Sequence, residues 1–285
     1  MQLGMPTMIE LPDLEANAKV CRDLALQFVE INMNLPMFQP EKLGAARTLS
    51  ERYGVGFTIH LDENFAPADF NPLVVESYRE TMRRTLRAAK EMEAPVVNMH
   101  LGRGVHFKLP DRVIYLYDRY REEYLEQIRR LRELCEEEIG DCDLRVCIEN
   151  TDGYLDHQKA AIELLLDSPV FALTWDIGHS HTASVEDAPF LLAHRNRLAH
   201  FHVHDALGKR CHLILGEGEI DLTRYIELAD SLNARCVLET KTVEALERSS
   251  TRTEGRSRQD SHTHGQNSTR TGLRTPHGRQ RPRSR

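Results

Sequence analysis

Six short apolar segments of this chain end on a residue type that binds metal ions. They read Phe-Thr-Ile-His60, Val-Asn-Met-His100, Val-Cys-Ile-Glu149, Leu-Thr-Trp-Asp176, His-Phe-His202 and Val-Leu-Glu239. Packing gives no reason for such a repeat. In a (β/α)₈ barrel the C-terminal ends of all strands converge on one face, which holds the active site. The pattern therefore predicts a TIM barrel with a metal centre at its mouth.

The rest of the chain agrees with that architecture. Strand-like and helix-like segments alternate from end to end, as in a parallel α/β fold. Strands are expected at 1–11, 27–32, 56–60, 95–100, 144–149, 170–176, 198–203 and 234–239. Helices are expected at 13–24, 41–53, 72–93, 115–139, 157–166, 185–194 and 222–232, and an eighth begins at Thr242. Asp13 is a natural N-cap. Gly54 and Gly140 are natural stops.

The eighth helix breaks the pattern. Residues 248–285 hold ten Arg, no Lys and only Glu254 and Asp260 as acids, a net of +8. With almost no aliphatic side chains, that stretch cannot bury enough apolar surface to order itself. A single-domain barrel over 1–248 and a disordered, basic C-terminal tail over 249–285 are expected. A helix 8 cut short after two turns would leave apolar surface exposed at the barrel seam, and self-association into a homo-oligomer is one consequence.

Residues 1–247 hold 27 basic and 42 acidic residues, a net of −15. An acidic body argues against a nucleic-acid groove, which depends on Lys and Arg. No apolar run approaches the ~18 residues of a membrane span. The N-terminus lacks the basic and apolar regions of a secretory signal. The six cysteines show no CxxC pair and read as free thiols, so a cytoplasmic location is expected.

Glu149, Asp176, His202 and Glu239 carry the chemistry. Three carboxylates and one imidazole suit one divalent ion such as Mn²⁺, Co²⁺, Mg²⁺ or Zn²⁺. His60, His100, His179 and His212 form a second tier. Each is a further ligand or a group that orients ligands and substrate. His106, His157, His181, His194, His200 and His204 read as surface or structural residues. No P-loop, GxGxxG, HExxH or GxSxG motif is present.

Ile-Glu149-Asn-Thr, Trp-Asp176-Ile-Gly-His179, His202-Val-His-Asp205, His212-Leu-Ile-Leu-Gly-Glu-Gly218 and Leu-Glu239-Thr together resemble the xylose isomerase-like barrel superfamily. That group contains sugar and sugar-phosphate isomerases and epimerases, and also the apurinic-site nuclease endonuclease IV. By this resemblance Glu149, Asp176, His202 and Glu239 would hold one metal ion, with Glu149 and Glu239 also acting as acid and base. The implied substrate is a small sugar or related hydroxy-ketone, converted through an enediolate. The nuclease alternative would add His60, His100, His179 and His212 to a three-zinc site. It also needs an Asp two positions before His212, where this chain has Arg210. A guanidinium cannot ligate zinc. Arg210 is therefore expected to point into the mouth and bind substrate oxygen, beside His60, His100, His179 and His212. A third reading is a metal- or sugar-binding barrel without catalysis.

Overall fold

The computed structural model describes residues 1–184 and 186–252. Eight parallel strands close into a barrel. They are β1 (Gln2–Pro6), β2 (Phe28–Asn32), β3 (Gly56–His60), β4 (Val96–His100), β5 (Arg145–Glu149), β6 (Phe171–Asp176), β7 (Leu198–Val203) and β8 (Arg235–Leu238). Each pairs with its sequence neighbour, and β1 pairs with β8 to complete the ring.

Helices cover the outside. The longer ones are α1 (Leu14–Asp23), α2 (Ala46–Tyr53), α3 (Pro72–Glu91), α4 (Arg121–Ile139), α5 (Asp156–Leu166), α6 (Ala188–Ala193) and α7 (Leu222–Ser231). Their ends follow the expected chemistry. The Asp13 side chain caps α1 by accepting from the Ala16 N–H at 2.8 Å. Gly54 ends α2 in a left-handed conformation, with φ +68°. Two expected helices start later than expected. Residues 40–42 form a separate 3₁₀ turn before α2, and α6 starts only at Ala188.

Side chains two apart on a strand share a face. One face of each strand is apolar and packs under the helices: Val29 and Ile31, Phe57 and Ile59, Val97 and Met99, Val146 and Ile148, Leu173 and Trp175 are all buried. The other face is polar yet equally buried, with Glu30, Thr58, Asn98, Thr174 and His200. These polar residues bond across the barrel interior. Thr58 Oγ1 donates to Glu30 Oε2 at 3.2 Å, Thr174 Oγ1 donates to Asn98 Oδ1 at 2.6 Å, and His200 Nε2 lies 2.9 Å from Glu30 Oε2. Burying polar groups is costly unless they are paired. The barrel therefore has a hydrogen-bonded polar lining beneath its mouth.

Two hairpins were not legible in the sequence. One joins His106–Lys108 to Val113–Tyr115, and the other joins Asp205–Leu207 to Arg210–Leu213. A short helix, Ile177–Thr182, also follows β6 directly.

The helix expected from Thr242 spans residues 243–252 and so runs past 248. Leu246 and Ser249 are fully buried, and Val243 packs on the core. Ser249 Oγ accepts the Leu215 N–H at 3.3 Å, and Arg252 donates to the Leu215 carbonyl. The tail expectation for 253–285 lies outside the described residues.

Candidate metal centre

The six strand-end residues named from the sequence meet at the barrel mouth. Glu149 lies at the centre. Its Oε2 is 3.1 Å from His60 Nε2 and 3.3 Å from His100 Nε2. Its Oε1 is 3.2 Å from His202 Nδ1 and 3.6 Å from His179 Nδ1. His202 Nδ1 also lies 3.4 Å from Glu239 Oε2 and 3.9 Å from Asp176 Oδ2. Glu149, Asp176, Glu239 and His202, from four successive strand ends, therefore surround one point.

Many of these contacts are close in distance but poor in direction. His100 Nε2, His179 Nδ1, His202 Nδ1 and Glu239 Oε2 are buried and make no hydrogen bond. Leaving buried polar atoms unsatisfied costs roughly 1–3 kcal/mol each. Donor atoms that crowd together without bonding one another suit a shared cation. The donors are hard oxygens with imidazole nitrogen, which matches a divalent ion. His60, His100 and Glu149 form a second set within range of one ion, and His204, His212 and Glu239 another.

The electrostatics follow from these neighbours. Burial would raise the Glu149 pKa, but the charges of His202 and His100 outweigh it and hold the carboxyl well below its usual range. Glu239 is held low in the same way, by the close approach and charge of His202 and by the charge of Lys241. Lys241 Nζ sits 2.9 Å from Glu239 Oε1. Burial pushes the histidines down. The Glu149 hydrogen bond and charge still lift His60 to about 9, and Asp176 with Glu149 lifts His179 to about 10. His212 stays low, at about 4, because burial wins there.

A pH dependence follows for the metal-free protein. Groups with a folded pKa above their ordinary value of 6.5 contribute stability that is fully present below that pH. It is lost as pH rises through about 9 to 10. The Tm of chelator-treated protein should therefore fall across that window. Divalent metal should flatten the curve, since the carboxylates then keep a counter-charge. Scanning calorimetry with and without metal checks this, and a flat metal-free curve would contradict it.

Arg210, expected at the mouth, begins the second strand of the second hairpin. Its side chain is exposed on the second hairpin. The half-buried neighbour Cys211 instead comes within metal-ligand range of His179 and His212. His60, His100, His179 and His212 all reach the mouth.

Several contributors were missed or misread. His204 is completely buried, and its Nε2 lies 3.1 Å from Asp176 Oδ1. Its Nδ1 accepts the His212 N–H at 2.9 Å. His200 is also completely buried. Both were read as surface or structural residues, but they ended no apolar run by themselves. Their His-x-His-x-His spacing with His202 was the available signal. Asn98 donates to Glu149 Oε2. Asn150 Nδ2 donates to the Asp176 carbonyl at 2.9 Å, and Asn150 Oδ1 accepts the Asp176 N–H at 2.8 Å. The Gly-punctuated loop 214–220 wraps the buried Asp205 carboxylate. That carboxylate accepts the N–H groups of Gly216 at 2.8 Å, Gly218 at 3.0 Å and Ile220 at 3.1 Å.

Residues 18–260 match the xylose isomerase-like TIM barrel family. The chain belongs to that family. A comparison with curated proteins gave no match. Among solved structures, a D-tagatose 3-epimerase-like protein is 21% identical, with 93% of this chain and 100% of that one covered at a TM-score of 0.74. A 3-keto-D-glucoside 4-epimerase from E. coli is 16% identical, with 89% and 98% covered at 0.70. A D-psicose 3-epimerase from Clostridium cellulolyticum H10, solved with D-tagatose, is 14% identical, with 91% and 99% covered at 0.70. At these identities the likeness concerns the fold. Among the described residues no helix is long and apolar enough to cross a membrane.

Proposed function

We propose that this xylose isomerase-like barrel is a divalent-metal-dependent epimerase or isomerase of a small sugar or related hydroxy-ketone. One observation carries the reading. Glu149 Oε1 and Glu239 Oε2, from strands on either side of β7 and β6, approach the same His202 nitrogen at 3.2 and 3.4 Å. Two carboxylates around one ion site are what a proton transfer between the two faces of a carbon requires. The structural neighbours that act on ketoses or ketosugars support the substrate class.

Glu149, Asp176, His202 and Glu239 would hold the ion. When bound, it would polarise the substrate's carbonyl and adjacent hydroxyl oxygens. One carboxylate removes the proton from the carbon beside the carbonyl, leaving an enediolate, and the other returns a proton. Lys241 keeps Glu239 ionised, which suits it to remove the proton. The imidazoles of His60 and His179 lie beside Glu149 and can resupply a proton there. In the reverse direction the roles exchange. His212 and His179 stand at the rim, where they can bond substrate hydroxyls.

Metal analysis of purified protein, followed by incubation with ketoses in D₂O, tests the proposal. The expected result is one ion per chain and solvent deuterium at the carbon next to the carbonyl, both lost on chelation. Metal-loaded protein that exchanges no proton with any ketose would refute it. The set formed by His60, His100 and Glu149 favours a second reading, a polynuclear phosphodiesterase acting on abasic DNA. About three zinc ions per chain with cleavage at abasic sites would select it.

A further inference from the structure

Glu30 lies one layer below the candidate ion site, on a strand that touches none of its ligand-bearing strands. β2 pairs with β1 and β3, whereas His202 is on β7. Glu30 nevertheless reaches across the barrel interior. Its Oε1 is 2.8 Å from His202 Nε2, and its Oε2 is 2.9 Å from His200 Nε2. The Glu30 residue is 2% exposed, His202 1% and His200 0%. Thr58 Oγ1 supplies a further hydrogen bond to Oε2.

We infer that Glu30 is a positioning residue, which fixes His202 so that Nδ1 faces the ion and Nε2 carries the proton. The inference rests on the metal-centre reading and deepens it. An imidazole has two nitrogens, and the partner of one decides what the other can do. A carboxylate can only accept, so the His202 nitrogen facing Glu30 must be N–H. The opposite nitrogen, Nδ1, is then free, and it is the one that lies among Glu149, Asp176 and Glu239. The Glu30–His202 contact is short but off the ring N–H direction, because His202 Nε2 forms no hydrogen bond. A lone pair on that nitrogen would face the carboxylate charge at 2.8 Å, so the proton stays on Nε2 although the contact is off the hydrogen-bonding direction.

His200 explains why the carboxylate stays in place. It engages the second oxygen, and its own Nδ1 has no partner. Both Glu30 oxygens are therefore occupied, which leaves the side chain no other orientation. Neutralising Glu30 as an amide would disturb this arrangement. A glutamine has one accepting oxygen and one donating nitrogen, so it cannot face an N–H of both histidines. One imidazole would have to turn its lone pair toward the amide. If that imidazole is His202, its proton moves to Nδ1 and blocks the ion.

Titration calorimetry with Mn²⁺ and Co²⁺ on wild type and Glu30→Gln tests this. Loss of a carboxylate behind a metal-bound histidine typically weakens binding about 10–100-fold, and a drop of that size is expected. Affinity within threefold of wild type, in a variant with unchanged Tm, would overturn the inference. Should Glu30→Gln fail to fold, the wild type decides alone. In the Zn²⁺-loaded protein, ¹⁵N spectra of the His202 ring should show a protonated Nε2 and an unprotonated, metal-shifted Nδ1. The reverse assignment overturns the inference. Wild-type protein that binds no divalent ion would instead refute the metal-centre reading itself.

Discussion

Replacing Glu239 by glutamine is expected to abolish turnover and weaken metal binding together. The Glu239 side chain is only 16% exposed, and its Oε2 lies 3.4 Å from His202 Nδ1. An amide there keeps the shape but removes the negative charge and the proton-accepting ability. Loss of a positioned general base typically costs 10²–10⁴-fold in rate. Loss of a ligand adds to this by lowering occupancy. We expect kcat/KM for the ketose substrate to fall at least about 10³-fold, roughly 4 kcal/mol of transition-state stabilisation. Lys241 sharpens the expectation, since it would be left 2.9 Å from a neutral oxygen with no counter-charge. Steady-state kinetics at saturating metal, with calorimetry for affinity, separates the two effects. Full activity in this variant would remove Glu239 from both roles.

Substituting alanine for Gly178 should disrupt the site from behind. Gly178 sits in the short helix after β6, between Asp176 and His179. A methyl group there would lie 1.9 Å from His204 Cε1 and 2.3 Å from its Nδ1. His204 cannot yield cheaply. It is fully buried, held at 3.1 Å by Asp176 and bonded by the His212 N–H. Overpacking of this kind costs about 1–3 kcal/mol. For a domain of this size that is roughly a 2–12 °C fall in Tm. The larger consequence is local, because moving His204 frees the Asp176 carboxylate and shifts His212. Metal affinity should drop by at least about tenfold, as for other groups behind a ligand. An unchanged Tm together with unchanged metal affinity would show that the helix start can shift to make room.

Both expectations concern residues that differ in how visible they were. Glu239 ends an apolar run, and chain order alone marked it out. His204 lies two residues past His202 in the same histidine-rich stretch and was read as structural, because nothing local shows that it reaches back to Asp176. Arg210 shows the converse. Its place in the motif suggests the mouth, but only the fold shows that its side chain is exposed and that Cys211 lies within ligand range of His179 and His212.

The sequence by itself determined the barrel, the number and order of its strands, and the convergence of Glu149, Asp176, His202 and Glu239. Those follow from short-range regularities: alternating strand and helix patterns, and ligand residues at strand ends that a barrel gathers on one face. Only the tertiary structure decided which groups stand behind the ligands. Glu30 meets His202 although 172 positions separate them in the chain. The reach of the last described helix was decided the same way. Residues 249–252 look unable to dock from their composition, yet they continue the helix with Ser249 buried and bonded to the Leu215 backbone, and Leu246 buried one turn earlier. The physical reason is common to both. Polar side chains give no periodic signal of burial, and whether one is satisfied depends on a partner that closure of the barrel supplies from across the fold.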